Sequence, residues 1–253
     1  MRVHGGNPEN IANTGGLRFE VDGEIATITL DRPEKRNAQT FALWSELTRI
    51  GENLPEQVRV VVVRGEGPSF SAGIDLAMFG TLTAGTNLDD QIAEFQRGFL
   101  WLRRPEIVSV AAVQGHAIGA GFQLALSCDL RIVTDDVKFC MKEPALGLVP
   151  DLTGTKPLVE LVGLAKAIDI CLTARVVQAE EALRIGLAER VVSREDLAQA
   201  VKEKAAELLA VNRDAAIATK RLLQGARGRS LEEQSAAERA EQVLRIRAMS
   251  SGS

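Results

Sequence analysis

Apolar and polar residues alternate along Glu24–Leu30 (EIATITL), and its content of Ile and Thr predicts a strand. Arg59–Val63 carries four valines in a row, a run suited to burial on both faces. Between these strands Leu43, Leu47, Ile50 and Leu54 recur at the 4-3-4 spacing that keeps one helical stripe inward. Leu88, Ile92, Phe95, Phe99 and Leu102 repeat that pattern after a Gly/Thr-rich stretch, Gly80–Asn87, that reads as a flexible loop. Ile107–Val113, apolar except for Ser109, predicts another strand. Gly115, Gly119 and Gly121 then introduce a helix over about Ala120–Cys128, and Leu130–Val133 reads as one more short strand. Strands alternating with helices predict an α/β core with helical crossovers rather than an all-β sandwich.

After about Thr155 the strand signals stop. Helices are predicted near Leu164–Leu172, Gln178–Ile185, Arg194–Leu209 and Asp214–Leu223, and Ser230–Met249 opens with the capping sequence Ser-Leu-Glu-Glu. The first residues carry Gly, Asn and Pro without a hydrophobic period. The chain therefore divides into a mobile tail over 1–16, a core over 17–192 and a C-terminal helical region over 193–253. No internal repeat of fixed period is visible.

Composition narrows the function classes. A chain of 253 residues, 45% hydrophobic and 25% charged, buries a sizeable core. Its net charge of −4 and pI near 5.4 give no general pull toward nucleic acid or an anionic membrane. No apolar run is long enough to span a bilayer, and the polar start lacks the apolar centre of a signal peptide, so a soluble cytoplasmic protein is expected. Cys128, Cys140 and Cys171 lie far apart and read as buried thiols. With only His4 and His116 beside them, no metal site is expected.

Three segments carry candidate chemistry. Pro68-Ser-Phe-Ser-Ala-Gly-Ile-Asp-Leu76 follows the valine strand, where α/β folds put ligand loops, and a tight turn at Gly73 can aim the N–H of Ile74 at a ligand oxygen. Gly115–Asp129 (GHAIGAGFQLALSCD) is again strand, glycine loop and helix. Ala120 stands at the helix start, where N–H groups lack partners and the dipole is positive, so its N–H can join that of Ile74 around one carbonyl oxygen. A dinucleotide-binding loop is the rival for this segment, but Leu124 occupies the third glycine position and no acidic ribose ligand follows about twenty residues on. Glu143-Pro-Ala-Leu-Gly-Leu-Val-Pro-Asp151 holds two carboxylates around a bend that can turn both toward one pocket, where burial would tune them for proton transfer. His116 reads as a packing histidine and is given no role.

Those three segments and DRPEKRNA (Asp31–Ala38) stand in the order and context of the four site segments of the crotonase, or enoyl-CoA hydratase/isomerase, family, which this chain resembles over about Leu17–Val192. The resemblance implies a spiral of repeated ββα units with a C-terminal helical region, assembled as a homotrimer or dimer of trimers and acting on an acyl-CoA thioester. No cofactor is implied, since coenzyme A belongs to the substrate. It also implies that the N–H groups of Ile74 and Ala120 form an oxyanion hole, Ala120 standing where glycine is usual. Lys35 and Arg36 would lie near the CoA phosphates, with Ala38, Ala72 and Asp75 around adenine and ribose. Glu143 matches the second catalytic glutamate of the family, and Asp151 falls where some isomerases place an aspartate. Gln123 replaces the first glutamate of typical hydratases. A neutral amide is no base, so Gln123 is expected to position substrate or water, and the resemblance favours double-bond isomerisation by Glu143 and Asp151 over hydration of trans-2-enoyl-CoA. A non-catalytic acyl-CoA carrier or sensor is the further alternative.

Overall fold

The computed structural model describes residues 11–81 and 87–251. Seven strands form the main sheet: β1 (Ile11–Thr14), β2 (Leu17–Asp22), β3 (Ile25–Leu30), β4 (Val60–Gly65), β5 (Val108–Val113), β7 (Leu130–Thr134) and β10 (Arg190–Val192). They lie side by side in that order. The first three are antiparallel, and from β3 onward neighbours are parallel. The crossover helices include α1 (Phe41–Glu52), α2 (Leu88–Leu100) and α3 (Ala120–Ser127).

The valine run does what its pattern demands. Val61 and Val63 face the main core with Ala111 and Val113, against a cluster that includes Leu43, Leu47, Phe95 and Phe99 from α1 and α2. Val60 and Val62 face the other way with Val110, Ala112 and Ile132, and are covered by Ala200, Val201 and Ala205 of α7 (Leu197–Leu209). Every residue of β4 except Arg64 is buried. Helices on both faces are what a parallel sheet requires.

A second layer positions the site. It pairs β6 (His116–Ile118) in parallel with β8 (Lys138–Cys140), and β8 antiparallel with β9 (Val177–Gln178). Two irregular stretches extend it through parallel bridges, Ser71 with Ala117 and Gln39 with Ile74. The segments over 37–39, 71–74, 116–118 and 138–140 thus run side by side in one direction, and their C-terminal ends emerge together. These are the ends at which ligands of α/β folds are bound.

The remaining helices are α4 (Thr155–Val162), α5 (Leu164–Thr173), α6 (Ala179–Arg184), α8 (Arg213–Gly225) and α9 (Leu231–Ser251). At the start of α9, Ser230 Oγ accepts from the Glu233 N–H at 3.2 Å and a Glu233 carboxylate oxygen accepts from the Ser230 N–H at 2.7 Å, the reciprocal box expected there. Two expectations need correction. Residues 11–14 form β1 on the edge of the main sheet, so ordered structure begins before Leu17; the rest of the expected tail, 1–10, lies outside the described residues. Strands also continue past Thr155 as β9 and β10. They are two and three residues long, too short to show a period, and tertiary pairing alone defines them. The helix start at Leu88 agrees with its pattern, whereas 82–86 of the expected flexible loop lie outside the described residues.

Candidate active site

Parallel pairing of β6 and β8 sets Ile118 beside Cys140, and the Gly119 N–H donates to Cys140 O at 2.8 Å. The turn into α3 therefore lies against the turn that follows β8, which opens with Glu143. Gly119 has φ 51° and ψ −119°, a conformation that essentially only glycine adopts, and a methyl group built on it would stand 3.1 Å from Glu143 Oε1. Gly73 makes the matching approach from the neighbouring stretch. Its φ is +93°, and a methyl on it would lie 2.6 Å from Ile118 O and 3.7 Å from Ala120 N. Ile74 and Ala120 are thus brought together by two glycines, one where a side chain would clash with Ile118 O and one whose backbone conformation other residues rarely adopt.

The Gln39 N–H donates to Gly73 O and the Asp75 N–H to Gln39 O, both at 2.7 Å, which leaves the intervening Ile74 N–H out of the ladder. Ala120 begins α3, and no side chain caps that end. Among the described residues no acceptor is found for either N–H. Two unpartnered donors on neighbouring turns, one of them at a helix N-terminus, suit an oxygen on which negative charge develops.

Gln123 and Glu143 meet directly, with Gln123 Nε2 donating to Glu143 Oε1 at 2.7 Å. Gln123 is completely buried, and its Oε1 accepts from the N–H groups of Leu152 at 2.8 Å and Gly154 at 3.2 Å. Protein groups thus engage both ends of its amide. Glu143 Oε2 is sealed from solvent without a hydrogen bond. Burial pushes the Glu143 carboxyl above the ordinary carboxylate range, against the hydrogen bonds it accepts, and the nearby Asp151 adds to the rise. Burial raises Asp151 too. No cation among the described residues forms an ion pair with either carboxylate. The Asp151 carbonyl is held by Gln96 Nε2 of α2 at 2.7 Å.

Around the DRPEKRNA segment the sequence pointed to Lys35, Arg36, Ala38, Ala72 and Asp75. Lys35 ends a short 3-10 turn, Pro33–Lys35, and Arg36 follows in left-handed backbone at φ 49°. Both are exposed. The Ala72 N–H donates to Arg36 O at 2.8 Å, which ties this segment to the Ile74 stretch. Asp75 is held below the ordinary carboxylate range by a hydrogen bond from Arg32, and Lys35 contributes in the same direction. Sequence reasoning missed the residues that build this scaffold. Arg32 donates to Ala38 O at 2.7 Å and to Asp75 at 3.1 Å. Buried Asn37 donates to the carbonyls of Glu66 and Ser69, and Ser71 Oγ donates to Asn37 O at 2.8 Å. A signal was present, since Arg32, Asn37 and Ser71 are polar residues inside the quoted motifs. His116 is half-buried, hydrogen-bonds Ser69 through Nδ1 at 3.1 Å, and is held below the usual histidine range chiefly by burial.

A mixed α/β layer whose glycine turns and carboxylates meet at strand ends defines the crotonase class. The chain belongs to the enoyl-CoA hydratase/isomerase family of that class, whose family model matches residues 20–248. A crystal structure of a Thermobifida fusca YX protein in complex with CoA, provisionally assigned as an enoyl-CoA hydratase, is 56% identical with a TM-score of 0.90, covering 94% of this chain and 95% of that one. A probable enoyl-CoA hydratase of Mycobacterium leprae is 35% identical over 199 residues, 77% of this chain and 76% of that protein. The short-chain-enoyl-CoA hydratase of Clostridium acetobutylicum is 34% identical over 197 residues, 76% of this chain and 74% of that protein. No helix among the described residues is long and apolar enough to cross a membrane. Among the same residues no group of three His, Cys, Asp or Glu could hold a metal ion, and all three cysteines are free thiols.

Proposed function

We propose that this acyl-CoA enzyme moves a carbon–carbon double bond in an enoyl- or dienoyl-CoA. One observation carries the reading: Glu143 and Asp151 are two largely buried carboxyls without cationic partners, both raised toward neutrality, and the neighbouring position 123 holds a group that cannot ionise. One carboxylate takes a proton from the acyl chain, and the electron pair released runs into the thioester carbonyl to give an enolate. The N–H groups of Ile74 and Ala120 hold that oxygen, each donor of this kind being worth roughly 3 kcal/mol in the transition state. The other carboxyl returns a proton further along the chain, so mass is conserved. Lys35 and Arg36 meet the CoA phosphates, with the backbone at Ala38, Ala72 and Asp75 framing adenine and ribose. CoA arrives with the substrate, and the chemistry requires no cofactor.

Hydration of trans-2-enoyl-CoA is the second reading, favoured by the names of the Mycobacterium and Clostridium relatives. In that case Glu143 delivers the α-proton while Gln123, Asp151 or both orient the attacking water. Assembly as a homotrimer or dimer of trimers belongs to the same proposal. The exposed Leu146, Leu148 and Val149 beside the site, and Leu223, Leu231 and Ile246 on the last two helices, are apolar surface for such contacts.

Purified protein incubated with crotonyl-CoA, a 3-enoyl-CoA and a 3,5-dienoyl-CoA, followed by ultraviolet absorbance and product mass, separates the readings. Isomerisation shifts the chromophore at constant mass. A gain of one water on crotonyl-CoA overturns the isomerase assignment, and binding without change in any substrate would mean a carrier.

A further inference from the structure

The carboxamide of Gln123 bridges two parts of the site that the chain does not connect locally. Its oxygen collects the N–H groups of Leu152 and Gly154, so its NH2 must face Glu143; the opposite orientation would set NH2 against two donors and oxygen against a carboxylate. Between the two donating residues stands Thr153, a β-branched residue at φ 69° whose buried hydroxyl has no partner. Left-handed backbone is unfavourable for such a residue and persists only where the surroundings impose it. The next residue has to be glycine, because a methyl on Gly154 would lie 2.7 Å from Gln123 Cγ. One amide therefore fixes both Glu143 and the strained turn that follows Asp151.

We propose that Gln123 is a positioning residue that acts through Glu143: it holds Glu143 Oε1 by donation, leaves the buried and unpartnered Oε2 as the oxygen that exchanges a proton with bound substrate, and locks the Asp151 turn against it. The proposal deepens the isomerase reading and rests on it only where turnover is the readout. A glutamate at position 123 would still accept from Leu152 and Gly154. It would also put a second oxygen against Glu143 Oε1, and the two acids would have to share a proton. The charged and titratable groups near Glu143 are Asp151 across the turn, Lys142 next in sequence, Cys140 at the end of β8 and Cys171 on α5. None of these changes in a Gln123 variant.

The test begins with the unaltered full-length protein. Its Gln123 side-chain amide resonances, assigned by loss in Gln123→Met, are followed by NMR across pH together with the carboxyl carbon of Glu143, assigned by loss in Glu143→Gln. Both signals are expected to move with one midpoint, and a Gln123 amide indifferent to the Glu143 titration overturns the proposal. This readout needs no substrate, so it stands even if no acyl-CoA is turned over. Gln123→Glu is then expected to raise the Glu143 midpoint by about one pH unit or more and to carry the acidic limb of kcat/KM with it. An unmoved limb in folded Gln123→Glu protein would reduce Gln123 to a packing role.

Discussion

The two ends of α3 are built on opposite plans. At the C-terminal end the guanidinium of Arg131, 1% exposed, donates to Cys128 O at 2.9 Å and Ala125 O at 3.5 Å, and Arg103 donates to Leu126 O at 3.3 Å. Cations on the last carbonyls suit the negative end of the helix dipole. Arg131 also donates to Leu187 O at 2.7 Å and pairs with Glu189 at 2.8 Å. Beside it Asp129 accepts from Ser109 and, at 2.6 Å, from Lys220 of α8. The N-terminal end has free N–H groups, no cap, and carboxyls without cations. The same helix thus satisfies its charges where it supports the fold and withholds partners where reactive groups are needed. Mutations at the two ends should consequently affect different quantities.

The largest effect falls at the open end. Glu143→Gln keeps the shape and an acceptor for the Gln123 amide but removes the exchangeable proton, and kcat is expected to fall about 10²- to 10⁴-fold. Binding of CoA, measured by calorimetry, should change little. A fall in affinity of similar size with kcat preserved would mean that Glu143 serves binding, and the contrast between the two ends would collapse.

Next is the closed end. Arg131→Leu leaves several buried carbonyls without their donor and the Glu189 carboxylate with only the backbone N–H of residue 131, a loss expected to cost about 3 kcal/mol in urea unfolding. Turnover per folded molecule should stay within about threefold of the parent, since this change lies at the opposite end of α3 and touches no proposed site group. A variant with unchanged stability and depressed kcat would show that the two ends are coupled through the helix.

Much of this contrast was legible in the sequence. The valine run, the helix stripes and the glycine turns follow from period and backbone sterics, which are local properties. Gly73, Gly119, Glu143 and Asp151 stood out as residue types in loops after strands. The closed end was not legible, because Arg131 is an ordinary charged residue within the predicted strand Leu130–Val133 and its partners Leu187 and Glu189 lie more than fifty positions away. Likewise, nothing near Gln123 in sequence announces that Leu152 and Gly154 will occupy its oxygen, and β9 and β10 exist only through pairing with distant strands. Long-range satisfaction of buried polar groups is decided by the assembled fold, and a period along the chain does not record it.

The smallest effect sharpens the comparison most, because it has a definite sign. The folded protein holds Glu143 above its ordinary carboxylate range, so burial favours protonated Glu143 over the charged form. Its favourable contribution to stability is complete below the unfolded-state value, about pH 4.3, and is lost as pH rises through the higher folded-state value. Glu143→Gln has no charge to bury at any pH. Its melting temperature is therefore expected to match the parent below about pH 4, to exceed it increasingly over that window, and to keep a constant advantage above it. Each pH unit of displacement corresponds to about 1.4 kcal/mol, and each kcal/mol to about 2–4 °C for a chain of this size, so the gain at neutral pH reads out the displacement directly. Asp151 has the same sign and remains in both proteins, so its own titration largely cancels in the difference. Arg131→Leu should give a deficit that persists across this pH range, because the carbonyl partners it abandons do not titrate. A Glu143→Gln protein less stable than its parent at neutral pH would mean that the charged carboxylate is held by favourable partners after all, as Asp129 is at the other end of the helix.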